Sequence, residues 1–407
     1  MSNTQTKNVP ELRFPGFEGE WEEKKLGDLT TKIGSGKTPK GGSENYTNKG
    51  IPFLRSQNIR NGKLNLNDLV YISKDIDDEM KNSRTYYGDV LLNITGASIG
   101  RTAINSIVET HANLNQHVCI IRLKKEYYYI FFGQYLLSRK GKRKIFLAQS
   151  GGSREGLNFK EIANLKIFTP TIFEEQQKIG QFFSKLDRQI ELEEQKLELL
   201  QQQKKGYMQK IFSQELRFKD ENSEDYPHWE NSKIEKYLKE RNERSDKGQM
   251  LSVTINSGII KFSELDRKDN SSKDKSNYKV VRKNDIAYNS MRMWQGASGK
   301  SNYNGIVSPA YTVLYPTQNT SSLFIGYKFK THRMIHKFKI NSQGLTSDTW
   351  NLKYKQLKNI NIDIPVLAEQ EKIGDFFKKM DILISKQKIK IEILEKEKQS
   401  FLQKMFL

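Results

Sequence analysis

The segment Gly34-Ser35-Gly36-Lys37-Thr38 has the residue types of a phosphate-binding loop, where backbone N–H groups cradle a phosphate and a lysine reaches its outer oxygens. Its context is wrong for that chemistry. The first glycine of the motif falls on Thr31, and Pro39, Gly41 and Gly42 follow where a helix must begin. A glycine-rich turn that presents Lys37 to a polyanion is the better account. His332 and His336 stand four apart on an expected helix, but no Glu or Cys accompanies them at metal-ligand spacing. The single cysteine, Cys119, lies in the apolar run Val118 to Ile121 and reads as a buried, inert thiol of a reducing compartment. No Asn-Pro-Pro-aromatic tetrapeptide of an adenine methyltransferase is present, and no glycine fingerprint for S-adenosylmethionine follows a strand. Carboxylates beside lysines, as in Asp78-Glu79-Met80-Lys81, are expected by chance in a chain with 68 Lys and Arg and 48 Asp and Glu. The chain is therefore expected to carry no catalytic residue and no metal site, and to bind no cofactor.

The formal charge of +20 is instead the footprint of a polyanionic partner, and nucleic acid is the first candidate. No apolar run approaches the ~18 residues that span a bilayer, and the N-terminus has no signal-peptide core, so no membrane is involved and a cytoplasmic location is expected. Arg139-Lys140-Gly141-Lys142-Arg143-Lys144 follows an expected helix from Tyr127 to Ser138 and suits phosphates, with Lys142 and Arg143 as its centre. Lys328, Lys330, Arg333, Lys337 and Lys339 occupy the corresponding place in the second half. Gly151-Gly152-Ser153-Arg154 is a further glycine-rich loop through which backbone N–H groups and Arg154 can approach a phosphate. Base edges demand paired donors and acceptors. The candidates are Arg55, Gln57, Asn58, Asn115 and Gln116 in the first half, with Asn289, Arg292, Trp294 and Gln295 in the second.

These residues are carried on a duplicated frame. Glu174 to Asp187 returns as Ala368 to Asp381 with nine of fourteen positions identical, and the offset of 194 residues persists to Phe212 and Phe406. Leu12-Arg13-Phe14 with Trp21 is echoed by Leu216-Arg217-Phe218 with Trp229, and Gly88-Asp89-Val90 by Asn284-Asp285-Ile286. Ile179, Phe183, Leu186, Ile190, Glu193, Leu197, Leu200, Lys204, Tyr207 and Ile211 recur at alternating spacings of four and three, a coiled-coil seam. Ile373, Phe377, Met380, Ile384, Gln387, Ile391, Leu394, Lys398, Phe401 and Met405 repeat it. An antiparallel pairing predicts Glu193 opposite Lys398 and Lys204 opposite Gln387. A helix from about Glu174 to Phe212 is roughly 58 Å long at 1.5 Å per residue. Strands are expected at Ile51 to Leu54, Val90 to Ile94, Val118 to Leu123 and Leu165 to Phe168, then at Val280 to Tyr288, Tyr311 to Tyr315 and Ile360 to Ile364, with a second helix from about Leu323. The fold class is α+β: two α+β domains in pseudo-two-fold arrangement, joined by two long antiparallel coiled-coil helices. The boundaries are residues 1–170 and 215–366 for the domains, 171–214 and 367–407 for the helices.

Leu12 to Phe17 ahead of Trp21, the Ser35 to Pro39 turn, Gly88 to Leu91, Gly151 to Arg154, and Glu175-Gln176 with Lys178-Ile179 repeated as Glu369-Gln370 with Lys372-Ile373 resemble the specificity (S) subunits of type I restriction-modification systems. The resemblance covers essentially the whole length. It implies two target recognition domains that read the halves of a bipartite double-stranded DNA site. It also implies helices that set the spacing and dock two methyltransferase (M) subunits for adenine N6 methylation, and two restriction (R) subunits for ATP-dependent restriction. S-adenosylmethionine, ATP and magnesium then belong to those partners. Apolar residues off the seam, Phe182, Leu199 and Phe376, are the candidates for M-subunit docking.

Overall fold

The computed structural model describes residues 8–149, 156–266, 268 and 274–407. It divides into two units, Met1–Glu194 with Ile389–Leu407, and Gln195–Lys388. Both are α+β. Each holds one half of a long helix Phe173–Phe212 and one half of another, Leu367–Lys404.

In the first unit a four-stranded antiparallel sheet runs in the order Thr30–Ser35, Val118–Leu123, Val90–Asn93, Thr102–Ile104. Its central strands are buried on both faces, as the runs Val90 to Leu92 and Val118 to Ile121 require. The second unit repeats this sheet with Leu238–Glu240, Tyr311–Pro316, Ile286–Asn289 and Ser298–Lys300. Each unit also has a two-stranded ribbon leading into its long helix: Glu22–Lys25 with Lys166–Thr169, and Glu230–Lys233 with Asn361–Ile364. The units diverge in their other strands. The first has a sheet ordered Val70–Ile72, Ile51–Leu54, Ala112–Leu114, Arg84–Thr85, with one parallel pair. The second has two separate antiparallel pairs, the hairpin Leu251–Thr254 with Gly258–Lys261, and Lys279–Val281 with Gly305–Val307.

Two expected elements are broken by local chemistry. The strand foreseen over Val280 to Tyr288 is two strands, because Asn284 takes a φ of 73° and the Asp285 carboxylate accepts the Arg282 N–H at 2.8 Å, closing a turn. Gly88 takes the same left-handed place ahead of Asp89 in the first unit, with φ 86°. The helix foreseen from Tyr127 to Ser138 is Tyr129–Leu137, and the basic run after it is itself a helix, Arg139–Leu147. Ser138 separates them: its hydroxyl caps the second helix by accepting the Gly141 N–H at 3.1 Å. Gly141 is required there, since a Cβ would lie 2.1 Å from the Tyr135 carbonyl oxygen.

The long helices are core elements at their ends as well as a seam. Ile179, Phe183, Leu402, Met405 and Phe406 belong to one cluster with Trp21, Leu29, Val90 and Phe131, and Ile211, Phe212, Ile373 and Phe377 belong to its counterpart with Ile234, Ile286 and Phe324. Phe183 stacks on Phe406 with centroids 5.7 Å apart, and Phe212 on Phe377 at 5.8 Å. Of the expected seam, Ile190, Met380, Ile391 and Leu394 are also buried, while Leu186, Leu197 and Ile384 are half-buried. The helices are antiparallel within each unit, but in another register than expected. Lys398 reaches Asp187 at 2.5 Å, not Glu193, and Lys204 reaches Asp381 at 2.6 Å, not Gln387. Glu193 pairs with Lys390 instead. The two aromatic stacks set the register, and the lysines bend to the carboxylates within reach. No helix among the described residues is long and apolar enough to cross a membrane.

Candidate nucleic-acid interface

Each unit is fastened by the same buried carboxylate. Glu175, 1% exposed, accepts Arg13 Nε at 2.7 Å, Arg13 Nη2 at 2.8 Å and Trp21 Nε1 at 3.3 Å. Glu369 does the same for Arg217, at 3.1 and 2.6 Å, and Trp229, at 3.2 Å. The next residue caps a helix of its unit: Gln176 accepts the Tyr128 N–H and Gln370 the Ser321 N–H. Deeper in, Asp89 binds Arg122 and Asp285 binds Arg241, each through two nitrogens of the guanidinium. The echoed Leu-Arg-Phe, Trp and Glu-Gln segments are thus the two ends of buried hydrogen-bonded pairs, and their joint recurrence was the signal for those contacts; Asp89 and Asp285 also recur, but their arginines come from different strands, Arg122 within Val118–Leu123 and Arg241 just after Leu238–Glu240. Burying such carboxylates is tolerable only with their partners in place.

On this frame, loops converge at one end of the first unit's sheets. The Gly36 backbone packs on that of Leu114 and Asn115, and Asn115 N–H donates to the Leu54 carbonyl at 3.1 Å. Asn93 Nδ2 donates to the Ser56 carbonyl at 2.9 Å. A chain of polar side chains crosses these loops: Thr38 donates to Gln116 Oε1, Gln116 Nε2 lies 3.2 Å from His117 Nε2, and His117 Nδ1 lies 2.7 Å from Thr95 Oγ1. Thr95 also bridges to Gly156, and Leu157 N–H donates to the Ile94 carbonyl at 3.0 Å. The corresponding site of the second unit is built around residues 290–296, with Leu352 N–H on the Ser290 carbonyl at 2.9 Å and Trp294 edge-on to Trp350 at 5.2 Å. Both sites are backed by a basic helix. Gly100 faces Ile145 of Arg139–Leu147, and Gly296 faces Ile335 of His332–Asn341.

The candidate residues divide accordingly. Lys37, Gln57, Gln116, Lys142, Arg143 and Arg292 are exposed, and Trp294 and Gln295 are half-buried in the second site. Four of the candidates are engaged within the chain. Asn58 is fully buried, its side chain spent on the Arg55 N–H and the Asn65 carbonyl. Asn115 is 8% exposed and accepts the His117 N–H. Asn289 accepts the Met291 N–H, shaping the loop. Lys337 donates to the Asn361 carbonyl at 2.6 Å. Arg55 is partly engaged, donating to the Asp68 carbonyl and lying over the Tyr46 ring. Arg154 falls outside the described residues.

Two of the five cations of the foreseen phosphate clamp are engaged within the chain. Lys140 donates to the Phe406 carbonyl and Lys144 to that of Lys166. In the second unit Arg333 pairs with Asp363, Lys330 donates to the carbonyls of Ile255 and Gly296, and Lys339 lies over Trp350. Lys328 is 2% exposed against Trp229 and Phe212, and burial pushes its ammonium down to about 8. The Lys330 ammonium is lowered to about 8 by the same cause. Long basic stems near backbone carbonyls find partners there rather than in solvent. Thr95, His117 and Trp350 are residues of these sites that sequence reasoning missed, and nothing in their spacing marks them; Leu345 lies in the Gln343 to Asp348 segment, which corresponds in sequence to Gly151 to Arg154 but lacks its arginine. Burial pushes the Cys119 thiol up to about 12, as an inert thiol requires. Among the described residues, no group of His, Cys, Asp and Glu is arranged to hold a metal ion.

The model of the type I restriction modification DNA specificity domain matches residues 18–202 and again residues 209–395. The chain belongs to that family. As a specificity-domain chain it is 25% identical over 217 residues to the putative type I restriction enzyme MjaX specificity subunit of Methanocaldococcus jannaschii, covering 52% of this chain and 48% of the relative. It is 31% identical over 144 residues to the type I restriction enzyme EcoBI specificity subunit of Escherichia coli, covering 34% of this chain and 30% of the relative. The matched segments thus span about half or less of these curated relatives. The specificity-domain fold extends over the chain: the crystal structure of the S subunit from M. genitalium aligns with a TM-score of 0.60 at 15% identity, covering 98% of this chain and 99% of that one. A chain from a study of complex assembly and conformational transition of the type I R-M system aligns at 0.53 and 15%, covering 96% and 97%.

Proposed function

We propose that this chain is the sequence reader of a type I restriction-modification complex, each unit taking one half of a bipartite DNA site. The observation that carries the reading is the pairing of a repeated frame with divergent loops. The Glu175 and Glu369 fastenings, the aromatic stacks and the Lys–Asp pairs recur position by position, whereas the loops at the sheet ends differ in sequence: residues 94–101 and 290–297 are equal in length, but only the second contains Met291, Arg292 and Trp294. Such a division suits two recognition surfaces held on one scaffold.

In this reading the chain carries out no bond making or breaking. Adenine N6 methylation belongs to two M subunits with S-adenosylmethionine, and restriction to two R subunits with ATP and magnesium. Docking falls to the exposed apolar residues of the long helices. Leu199 is 54% exposed and suits that role. Leu192, Ile382, Leu383, Ile389 and Ile393 join it. Phe182 and Phe376 are less suited, because Phe182 packs edge-on against Phe14 and Phe401, and Phe376 against Tyr207 and Phe218. The experiment is methylome sequencing of a host that carries this chain with its M subunit, with the M subunit alone, and with this chain alone. N6-methyladenine is expected only where both are present. Methylation or cleavage by the purified chain alone would overturn the assignment.

A further inference from the structure

We propose that Leu345 reads the 5-methyl group of a thymine in the half-site taken by the second unit, so that the two readers recognise chemically different base edges. The inference rests on the DNA-reading function proposed above and specifies what one of the readers recognises.

The loop that bears Leu345 is closed and fastened. Gln343 and Asn351 exchange backbone hydrogen bonds at 3.0 and 2.8 Å, and Thr349 Oγ1 accepts the Thr346 N–H at 3.1 Å while donating to the Thr346 carbonyl at 2.9 Å. Gly344 takes a φ of 142° with the Thr349 backbone so close that a Cβ would lie 2.6 Å from its carbonyl oxygen. At the tip of this fastened loop Leu345 is 102% exposed, the most exposed large apolar side chain among the described residues. A leucine held in water by an ordered loop gains nothing for the fold and has apolar surface available to a ligand.

The position identifies that ligand. The loop is tied through Leu352 to Ser290, where residues 290–296 begin, and Trp350 at its base packs on Trp294. The segment at the loop's base thus carries exposed Met291 and Arg292, and the cation of Lys339 lies over Trp350, so cationic side chains accompany the loop where it joins the site. The tip itself has no cation. Its one charge is the carboxylate of exposed Asp348, which repels phosphate and can accept from an exocyclic base amino group. Leucine beside a carboxylate and threonine hydroxyls is therefore a base-edge surface, and the one apolar feature of a base edge in the major groove is the thymine methyl. The segment of the sequence that corresponds to it in the first half, Gly151-Gly152-Ser153-Arg154-Glu155, has an arginine and no large apolar residue.

The test uses the chain assembled with its M subunits and duplexes of the motif found by methylome sequencing, with each thymine in turn replaced by deoxyuridine. In one half-site a single replacement is expected to weaken binding about fourfold, the effect of one buried methyl group. Leu345→Ala is expected to weaken the thymine duplex to the same degree and to abolish that sensitivity, while thymines of the other half-site respond identically in both proteins. Insensitivity to every replacement overturns the inference, as does sensitivity that persists in Leu345→Ala. A Leu345→Ala chain that assembles poorly with M subunits in the absence of DNA would assign the residue to a protein contact and also overturn it. Failure of the wild-type assembly to bind any bipartite duplex would instead overturn the DNA-reading function beneath it.

Discussion

Gln57 and Asn58 are adjacent amides with opposite fates, one exposed at the end of the sheets and the other wholly enclosed. Asn58→Ala is expected to cost about 1–3 kcal/mol of stability, because the Arg55 N–H and the Asn65 carbonyl lose a buried partner. Gln57→Ala should leave stability within about 0.5 kcal/mol while altering DNA discrimination. Thermal melting together with binding to cognate and single-base-changed duplexes separates the two; a destabilised Gln57→Ala would contradict the assignment. Lys328 poses a different question, standing where the first unit has Tyr135: seven residues after the N–H held by Gln370 or Gln176, and against Phe212 or Phe406. At pH 7 its ammonium is protonated in folded and unfolded chains alike, and its burial costs stability. Between about 8 and 10.5 the folded chain has released the proton that the unfolded chain retains, so stability rises with pH across that window. Lys330 contributes in the same direction. Lys328→Met is expected to stabilise the chain by about 1–3 kcal/mol at pH 7, with the gain shrinking towards pH 10. Melting curves at the two pH values check this, and an equal effect at both would contradict it.

At the scale of elements, the long helices were legible because apolar residues at spacings of four and three admit no other structure over ten positions. Their register was not. A heptad pattern is satisfied by more than one shift, and the choice goes with residues outside it: Phe406 and Phe212, which stack on the seam residues Phe183 and Phe377, and Gln134, which donates to Asp187 at 2.8 Å and holds that carboxylate beside Lys398. Lys398→Glu is expected to destabilise the chain and Asp187→Lys to restore part of the loss, whereas Glu193→Lys restores none. Denaturation of the single and double variants decides between the registers, and rescue by Glu193→Lys would contradict the pairing seen here. The same distinction between pattern and context explains the broken strand at Asn284 and the unforeseen helix Arg139–Leu147. Each turns on one cap or one left-handed residue inside an otherwise uniform run. In the candidate sites, Lys37, Gln116 and Arg292 were legible as polar residues beside glycine-rich or aromatic turns. The engagement of Lys144 and Lys337 was not, since a flexible four-carbon stem reaches a carbonyl or solvent equally well until the fold places one nearby.

At the scale of the whole molecule, duplication explains why the frame is so regular and its loops so different. Glu175 and Glu369, Asp187 and Asp381, and Lys204 and Lys398 answer each other at one offset, so the same local solution is used twice. The loops answer to no such constraint, because residues that face a ligand need not match each other. Under the proposed function, a reader built this way is expected to recognise two separate sequences, with alteration of one recognition surface leaving the other sequence intact. The most direct measurement is the N6-methyladenine motif written into host DNA by this chain with its M subunit, compared with that written after residues 215–366 are exchanged for those of another family member. The predicted result is a motif of two short sequences separated by unspecified base pairs, with only one of the two changed by the exchange. A single continuous motif, or an exchange that changes both halves, would contradict the account.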